Sequence, residues 1–355
     1  MSLSRRQFIG RVALAAGSLA LAPVIEACGG ASSNSGVKSV TVSNWQYGYG
    51  NPDTTLAGFI ESLWPQYALK HGVTMTASVV APEQANQIFA SGRVNLLAYS
   101  PTTAANLDVL GGGPAKAIVG TQPINDYVIV ANRDKVPTIA SIAGKTLAVS
   151  APGTISYTIP QLAFQKNGVD IQSAGVKIIP VGGSSARVTA LLSGKVDAAP
   201  LYHDDAINVL HKNPRMFILL DTSIAVPFVF SSVMVQGTML TNTDDKEGLI
   251  QALVGRGEML KWVVTSKADF VNQYMAKFPQ ADPSVIADSY DQYIKIKMWD
   301  PDMVIDQKAY QQTLQISLNA TPPLVQGNLA FKEWVDTSFR DEAIRRLGGT
   351  GWWKK

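Results

Sequence analysis

The chain has 355 residues, of which 46% are hydrophobic and 16% charged, and this composition is that of a globular protein long enough for two domains. A single cysteine excludes a disulfide scaffold and a cysteine-rich metal protein. The formal net charge is only +3, with 30 basic against 27 acidic residues, which argues against a nucleic-acid-binding protein.

The first 27 residues are predicted to be an export signal. Arg5 and Arg6 precede Phe8 and an apolar run from Val12 to Ile25. That run is shorter than the roughly 20 residues that a membrane-spanning helix needs. A basic segment followed by a short apolar run indicates export. The paired arginines are typical of a twin-arginine signal, which is read by a receptor.

Cys28 is the predicted lipidation site. Ile25 and Ala27 match a lipobox, whereas Glu26 stands where a small residue is usual. Cleavage before Cys28 would leave a nearly neutral chain that begins with a flexible Gly/Ser/Asn-rich tether, residues 28–36. Such a chain is expected outside the cytoplasm, in the periplasm or at the cell surface, on a lipid anchor. The alternative is soluble export with an incidental cysteine.

Strands and helices alternate from residue 37 onward, which argues for an α/β fold. Val37–Val42 alternates β-branched residues and is predicted to be a strand. Thr54 to Leu69 places its large apolar residues on one helical face, with Asp53 or Thr54 as the N-cap. Further strands are predicted at Val73–Val80, Val94–Ala98, Ala115–Thr121, Tyr127–Asn132, Thr146–Val149, Val176–Pro180 and Phe228–Val235, with short helices at Glu83–Ala90 and from Ile139 to Lys145.

A weak internal repeat predicts two lobes. Gly92-Arg93-Val94-Asn95 is echoed by Gly194-Lys195-Val196-Asp197, and each follows a helix and leads into a strand. From Asp244 to Leu347 the chain is predicted to be mostly helical. We therefore expect lobe I to comprise residues 37–124 and 229–355, including the C-terminal helices, with lobe II, residues 125–228, inserted between its two parts.

The turns after the strands hold the candidate binding residues, because ligands of open α/β sheets bind beyond the carboxyl ends of the strands. A turn predicted at residues 43–50 carries three aromatic residues that suit an organic ligand. Serine, threonine and glycine open the helices after the other strands, where backbone N–H groups can bind an anion and where ordinary capping also explains them. The candidates from these turns are Trp45, Tyr47, Ser100, Gly153, Thr154, Ser156, Ser184, Tyr202 and Asp204.

Motifs for catalysis are scarce. His203, Asp204, Asp205 and His211 lie on one short helix and have no fixed geometry for a metal. The glycine run at 111–113 is not followed by Lys and Ser or Thr, so it is not a phosphate loop. Neither a nucleophile-elbow motif nor an H-E-x-x-H motif occurs. The sequence predicts no enzyme, no cofactor and no metal.

The order and spacing of several short motifs resemble the periplasmic substrate-binding proteins of ABC importers. These motifs are Ser43-Asn44-Trp45, Ser100-Pro101-Thr102-Thr103-Ala104, Gly144-Lys145-Thr146, Pro152-Gly153-Thr154 and Leu192-Ser193-Gly194-Lys195-Val196-Asp197. The resemblance spans Val37 to Gly237 and is closest to the group that takes nitrate, aliphatic sulfonates, taurine and thiamine-precursor pyrimidines. Asn95 departs from the aspartate that is usual in the family.

The resemblance implies a type II periplasmic binding protein, with two α/β lobes that each contain a mostly parallel sheet flanked by helices, and a helical C-terminal extension. It implies two connections, near Gln122–Tyr127 and Pro227–Phe230, and closure of the lobes around one solute. Carried over onto this sequence, the binding residues are Asn44, Trp45, Gln46, Ser100, Thr102, Thr103, Gly153, Thr154, Ser156 and Tyr157.

The implied function is to bind a small organic anion, such as an aliphatic sulfonate or a taurine-like compound, and to deliver it to an ABC permease. The expected partners are this solute, the permease and the membrane lipid that Cys28 enters, with a monomeric chain and no nucleic acid. One alternative is a receptor that presents its ligand to a sensor or partner protein. The other is a thiamine-precursor-type enzyme of the same fold, against which the lack of any cysteine beyond Cys28 counts.

Overall fold

Two five-stranded sheets with the same topology form the framework of the protein. The computed structural model describes residues 42–81, 84–109, 114–151 and 154–355. The predicted export signal, Cys28, the tether, the glycine run at 111–113 and Gly153 lie outside the described residues. The strands are β1 (Val42–Tyr49), β2 (Val73–Val79), β3 (Leu96–Tyr99), β4 (Ala115–Gln122), β5 (Tyr127–Asn132), β6 (Thr146–Val149), β7 (Lys177–Pro180), β8 (Ala198–Tyr202), β9 (Met216–Asp221) and β10 (Ser231–Gln236).

Helices fill the connections between these strands and make up most of the chain after β10. They are α1 (Leu56–Leu69), α2 (Ala85–Ala90), α3 (Thr102–Val109), α4 (Ile155–Lys166), α5 (Ser184–Leu192), α6 (His203–Lys212), α7 (Thr222–Ala225), α8 (Thr243–Thr265), α9 (Lys267–Lys277), α10 (Pro283–Lys295), α11 (Gln307–Leu318), α12 (Phe331–Trp334) and α13 (Ser338–Leu347). The predicted helical C-terminal region is therefore confirmed. Among the described residues, no helix is both long and apolar enough to cross a bilayer.

The strand orders of the two sheets correspond position by position. The first sheet has the order β2-β1-β3-β10-β4 and the second β7-β6-β8-β5-β9. In each sheet the fourth strand is antiparallel to both neighbours, and the other four run in one direction. The first sheet with its helices is called lobe I below, and the second lobe II. This architecture confirms the predicted two-lobed α/β class.

The sequence repeat has the same structural role in both lobes. The Asn95 side chain accepts a hydrogen bond from the backbone N–H of Gln46 in β1 at 2.8 Å. The Asp197 carboxylate accepts one from the backbone N–H of Thr146 in β6 at 3.0 Å. Gly92 and Gly194 precede these residues with φ of 71° and 72°, a conformation that favours glycine. The side-chain amide of Asn95 thus has the same role in lobe I as the carboxylate of Asp197 has in lobe II.

The first strand extends past its predicted end at Val42, whereas residues 37–41 of the prediction lie outside the described residues. β1 covers Val42–Tyr49, so the expected aromatic turn at residues 43–50 is wrong. Trp45, Tyr47 and Tyr49 occupy alternate positions and are buried, whereas Asn44 and Gln46 are exposed. This period-2 pattern is that of a strand with one face on the core. Asn44 has a φ of 57° next to a register irregularity in β1.

The chain passes between the lobes twice. Residues 123–126 connect β4 to β5, and residues 226–230 connect α7 to β10. The Asn125 side chain joins the two crossings, because it donates to the Thr222 carbonyl at 2.7 Å and to the Val226 carbonyl at 3.3 Å. Both lobes belong to one compact unit.

Candidate ligand-binding cavity

A cavity of about 480 Å³ lies where the carboxyl ends of the parallel strands of the two lobes face each other. Tyr49 and Tyr99 end β1 and β3 on the side of lobe I. Ser150, which follows β6, and Tyr202, which ends β8, line it on the side of lobe II. This is the position at which open α/β sheets bind ligands.

Half of the predicted binding residues line this cavity. The residues that line it all lie in the first turn of a helix or just before it. They are Ser100, Thr102, Thr103, Thr154, Ser156, Ser184 and Tyr202. The prediction from strand-to-helix turns therefore brings residues of both lobes together at one place.

Six of the predicted residues lie away from the cavity wall. Trp45, Tyr47 and Tyr157 are buried in hydrophobic clusters beneath it, and Asn44 and Gln46 are exposed on the opposite face of β1. The sixth, Asp204, forms a contact between the lobes. The extension of β1 to Tyr49 explains Asn44, Trp45, Gln46 and Tyr47, because the residues expected in a turn extend the sheet instead.

Arg187 is a buried cation at the wall of the cavity. Its side chain is 1% exposed and lies on α5. Its Nε donates to the Pro200 carbonyl at 2.8 Å, and its Nη1 donates to the Gly182 carbonyl at 2.7 Å and to Ser150 Oγ at 2.8 Å. All three acceptors are neutral. Its Nη2 is buried and has no hydrogen-bond partner among the described residues.

Two further polar atoms at the wall are buried and, within the described part of the chain, have no hydrogen-bond partner. They are Ser184 Oγ in lobe II and Gln122 Nε2 at the end of β4 in lobe I. The Gln122 carbonyl oxygen is used, since Asn51 Nδ2 donates to it at 3.2 Å. A buried donor without a partner costs about 1–3 kcal/mol. The wall thus offers Arg187 Nη2, Ser184 Oγ and Gln122 Nε2 to a bound group.

Five other hydroxyl groups of the wall bond to one another. Ser156 Oγ lies 2.9 Å from Ser150 Oγ and 3.0 Å from Thr154 Oγ1 at the start of α4. Ser100 Oγ lies 2.8 Å from Thr102 Oγ1 at the start of α3. These pairs fix the side-chain rotamers beside two helix N-termini, where the backbone dipoles favour negative charge.

Aromatic rings cover much of the remaining wall. The rings of Tyr127 and Tyr202 stack with centroids 5.2 Å apart and planes 8° apart. Phe230, on the second crossing, is perpendicular to both at 5.2 and 6.0 Å. Burial, with a contribution from Tyr127, raises the pKa of the Tyr202 phenol well above its ordinary value. The phenol is therefore neutral at physiological pH.

Glu61 is the one carboxylate on the wall among the described residues, and it is already paired. Its two oxygens accept from Arg256 Nη1 and Nη2 at 2.8 and 2.7 Å, and Tyr47 Oη also donates to it. Arg256 is 1% exposed and lies against the Trp64 ring at 4.8 Å. Both oxygens of Glu61 are therefore used. Arg187 has no hydrogen-bonded carboxylate among the described residues; the buried Asp205, which does not line the cavity, interacts with it only through its charge.

Behind the cavity, the two lobes share a buried polar contact. Asp204 Oδ2, at the start of α6, accepts from the backbone N–H of Leu56 at 2.8 Å, the first residue of α1. Burial, together with Asp205 and Asp126, raises the pKa of Asp204. Its neighbour His203 lies 3.0 Å from Asp126 on the first crossing. A lobe II side chain thus caps a lobe I helix.

Several wall residues were missing from the sequence-based prediction, and some of them left a signal. Arg187 lies at i+3 from Ser184 and one turn before Ala190 and Leu191, so it is a basic residue on the buried face of an amphipathic helix. The alternation of Trp45, Tyr47 and Tyr49 would have extended β1 and placed Tyr49 at its end. For Gln122, Tyr127 and Phe230 no local pattern is informative, because the folding of distant segments brings them to the wall.

The described residues hold no group of three or more His, Cys, Asp or Glu that is arranged to bind a metal ion. His203 is instead paired with Asp126, and His211 Nε2 lies 3.0 Å from Asp288 Oδ2.

The sequence also matches a known family over more than half of its length. Residues 67–277 match the sequence profile described as ABC transporter, phosphonate, periplasmic substrate-binding protein. The chain belongs to this family of ABC-transporter substrate-binding proteins. Membership makes it the solute-binding component of an ABC transporter, which implies a small-molecule ligand, a permease as partner and an extracytoplasmic location.

Solved structures with the same fold include several binding proteins of this kind. The alkanesulfonate-binding protein of Xanthomonas axonopodis pv. citri, bound to MOPS, has a TM-score of 0.65 and 13% identity, over 83% of this chain and 98% of that one. The nitrate-binding protein of Synechocystis PCC 6803 has a TM-score of 0.66 and 11% identity, over 86% and 89%. The aliphatic sulphonate-binding protein of Escherichia coli has a TM-score of 0.62 and 15% identity, over 83% and 92%. No curated protein sequence matches the chain.

Proposed function

We propose that this substrate-binding protein takes a small organic anion of the sulfonate type into the cavity between its lobes. One observation carries the proposal: Arg187 is buried at the wall, bonds only to neutral oxygens and keeps Nη2 free. A buried guanidinium is stabilised by an anion that accepts its remaining hydrogens. Two proteins of similar structure are an alkanesulfonate-binding and an aliphatic sulphonate-binding protein, which supports the same head group here.

The head group of the ligand would lie against lobe II. There, Arg187 Nη2 and Ser184 Oγ are available, and α4 and α5 begin at the wall. Gln122 Nε2 would reach the ligand from lobe I. We propose that lobe I, residues 37–124 and 229–355, closes on lobe II, residues 125–228, and that the permease recognises the closed form.

Export and anchoring are a separate part of the proposal. We propose that residues 1–27 direct export by the twin-arginine route and that Cys28 carries the lipid anchor; the Arg5-Arg6 pair and the residues before Cys28 support this. In the Cys28→Ser variant the protein should move from the membrane fraction to the soluble extracytoplasmic fraction. A variant that stays in the membrane fraction would contradict the lipid anchor.

The binding proposal is tested with a thermal-shift screen of sulfonates, phosphonates, nitrate and carboxylates, followed by calorimetry. A ligand at 100 times its dissociation constant stabilises the folded state by about 2.7 kcal/mol. The screened anion should be recovered chemically unchanged, as expected of a receptor. Stabilisation by none of these anions would contradict the proposal.

Variants of α5 test the site itself. Ser184→Ala removes the free hydroxyl and should weaken anion binding several-fold, with little change in unfolding temperature. Ser185→Ala, one residue further and exposed, is the matched control and should bind as the parent does. Arg187→Gln should abolish binding. Equal anion affinity in the parent, Ser184→Ala and Arg187→Gln proteins would exclude this wall as the binding site.

A further inference from the structure

The walls of the cavity carry more information about the ligand than the sign of its charge. Five aromatic side chains line it, from both lobes and from the second crossing: Tyr49, Tyr99, Tyr127, Tyr202 and Phe230. Tyr49, Tyr127 and Phe230 are almost fully buried, so their rings are held in place before a ligand arrives. Rings fixed in advance bind another ring at a low cost in side-chain entropy.

The volume of the cavity exceeds what a small inorganic or short aliphatic anion fills. It is about 480 Å³, whereas a cavity of roughly 150 Å³ in another protein accommodates benzene. A phenyl or larger ring together with an anionic head group therefore fits. Nitrate or a two-carbon sulfonate would leave most of the ring-lined wall without contacts.

The arrangement of the rings also favours an aromatic partner. Tyr127 and Tyr202 are stacked, and Phe230 is perpendicular to both. Stacked and perpendicular contacts are the two geometries in which aromatic rings attract one another, at about 0.5–1.5 kcal/mol for each pair beyond the burial of their area. A ligand ring at this wall can make contacts of both kinds.

The charges of the cavity argue against an ammonium group on the ligand. Within the described residues, Glu61 is the one carboxylate at the wall, and Arg256 and Tyr47 occupy its oxygens. Asp204, the acidic residue among the predicted binding residues, caps α1 behind the wall. A buried ammonium without a carboxylate partner is costly. Asp205 is buried near Ser184 and Arg187 but does not line the cavity. The zwitterion taurine would therefore find no free carboxylate at the wall for its amino group and would lose hydration.

We propose that the ligand of this cavity is an aromatic organic anion without an amino group. Its oxyanion lies against Arg187 and Ser184, and its ring lies against Tyr202 and Phe230. This inference rests on the proposed function and narrows it from organic anions in general to the aromatic ones.

Three sulfonates with one head group test the inference by calorimetry on the purified protein: benzenesulfonate, ethanesulfonate and taurine. Benzenesulfonate should bind at least about tenfold more tightly than ethanesulfonate, which corresponds to about 1.4 kcal/mol. Taurine should bind more weakly than ethanesulfonate. Equal or tighter binding of ethanesulfonate or taurine, relative to benzenesulfonate, would overturn the inference and leave the proposed function intact. If no anion binds, the proposed function itself fails.

A variant that lacks one ring of the wall tests whether the wall causes the preference for an aromatic ligand. Phe230→Leu should lower the affinity for benzenesulfonate more than the affinity for ethanesulfonate, and so bring the ratio of the two affinities towards one. Phe217→Leu is the matched control, because Phe217 lies on β9 under Arg133 and outside the cavity wall; its ratio should equal that of the parent. Tyr202→Leu replaces the first variant if Phe230→Leu does not fold. An unchanged ratio in the folded wall variant would contradict the assignment of the ring.

Discussion

Single residues of the cavity owe their roles to charge compensation. Glu61 and Arg256 are both almost completely buried and form a bidentate ion pair, and Tyr47 is a third donor to the Glu61 carboxylate. Arg187 is equally buried, but its hydrogen bonds go to neutral acceptors, and the buried Asp205 carboxylate interacts with it only through its charge. The difference separates a structural cation from one that is available to a ligand, and composition alone cannot make that distinction.

Breaking the buried ion pair should strongly destabilise the protein. Glu61→Gln leaves the Arg256 guanidinium buried without its counter-charge, and we expect a loss of about 3–5 kcal/mol in the free energy of unfolding. Asp291→Asn is the control, because the Lys267–Asp291 pair lies at the surface and such pairs contribute about 0–1 kcal/mol. Urea unfolding measures both variants. Similar losses in the two would contradict the assigned roles.

Among the elements, the long helix α8 shows how backbone contacts hold lobe I together. It packs against α1, and Gly255 lies so close that a Cβ atom there would be 2.6 Å from the Tyr67 carbonyl oxygen. Trp64 on α1 donates from Nε1 to the Ala252 carbonyl of α8 at 2.8 Å. The glycine is therefore required by helix–helix approach rather than by its own backbone conformation.

Two glycines of α8 should respond differently to alanine. Alanine is favoured over glycine in helices by about 1 kcal/mol. Gly255→Ala meets the rigid backbone of α1 and should cost about 1–3 kcal/mol, as overpacking does. Gly257→Ala meets only the end of the Leu347 side chain, which can move, and should change stability by less than about 1 kcal/mol. Thermal unfolding measures the stability of both variants. A Gly255→Ala protein that is more stable than the Gly257→Ala protein would contradict this expectation.

For the whole molecule, a buried polar cluster joins both lobes and the C-terminal helices. Asp126 on the first crossing lies 3.0 Å from His203 Nδ1, and Tyr293 of α10 donates to the other oxygen of Asp126 at 3.0 Å. Asp221 lies 4.0 Å from His203 Nε2. Burial disfavours the charged imidazole, but the hydrogen bond to Asp126 and the charges of Asp126 and Asp221 outweigh it and raise the pKa of His203 to about 10.

This cluster should make the stability of the protein depend on pH. When folding raises the pKa of a histidine, its protonated form stabilises the folded state. This stabilisation is complete at a pH below the unfolded pKa of about 6.5. It is lost as the pH rises through the folded pKa of about 10. The raised pKa of Asp204 acts in the same direction, since the unfolded chain releases that proton first. We expect the free energy of unfolding to fall between pH 6.5 and 10.

Urea unfolding at a series of pH values, on the parent and on His203→Gln, measures this dependence. The variant should be less stable near pH 6.5, and its stability should change less with pH up to 10. A parent protein that becomes more stable over this interval, or a variant with the same slope, would contradict the charged state assigned to His203.

The amino-acid sequence by itself determined the α/β class, the repeat, the helical C-terminal region and seven wall residues. These follow from local physics: hydrophobic period, glycine at helix ends, and hydroxyl residues that open helices after strands. The predicted end of β1 is wrong because three aromatic residues suit a ligand-binding turn, although their alternation is that of a buried strand face.

Tertiary structure alone decided which polar groups are left for a ligand. Arg256 and Arg187 are both buried arginines on helices, and what distinguishes them is a carboxylate 195 residues away for the one and backbone carbonyls for the other. Asp204 looked like a ligand-binding residue, yet it caps a helix of the opposite lobe. Compensation of charge depends on distances between segments far apart in the chain, and local sequence patterns do not encode those distances.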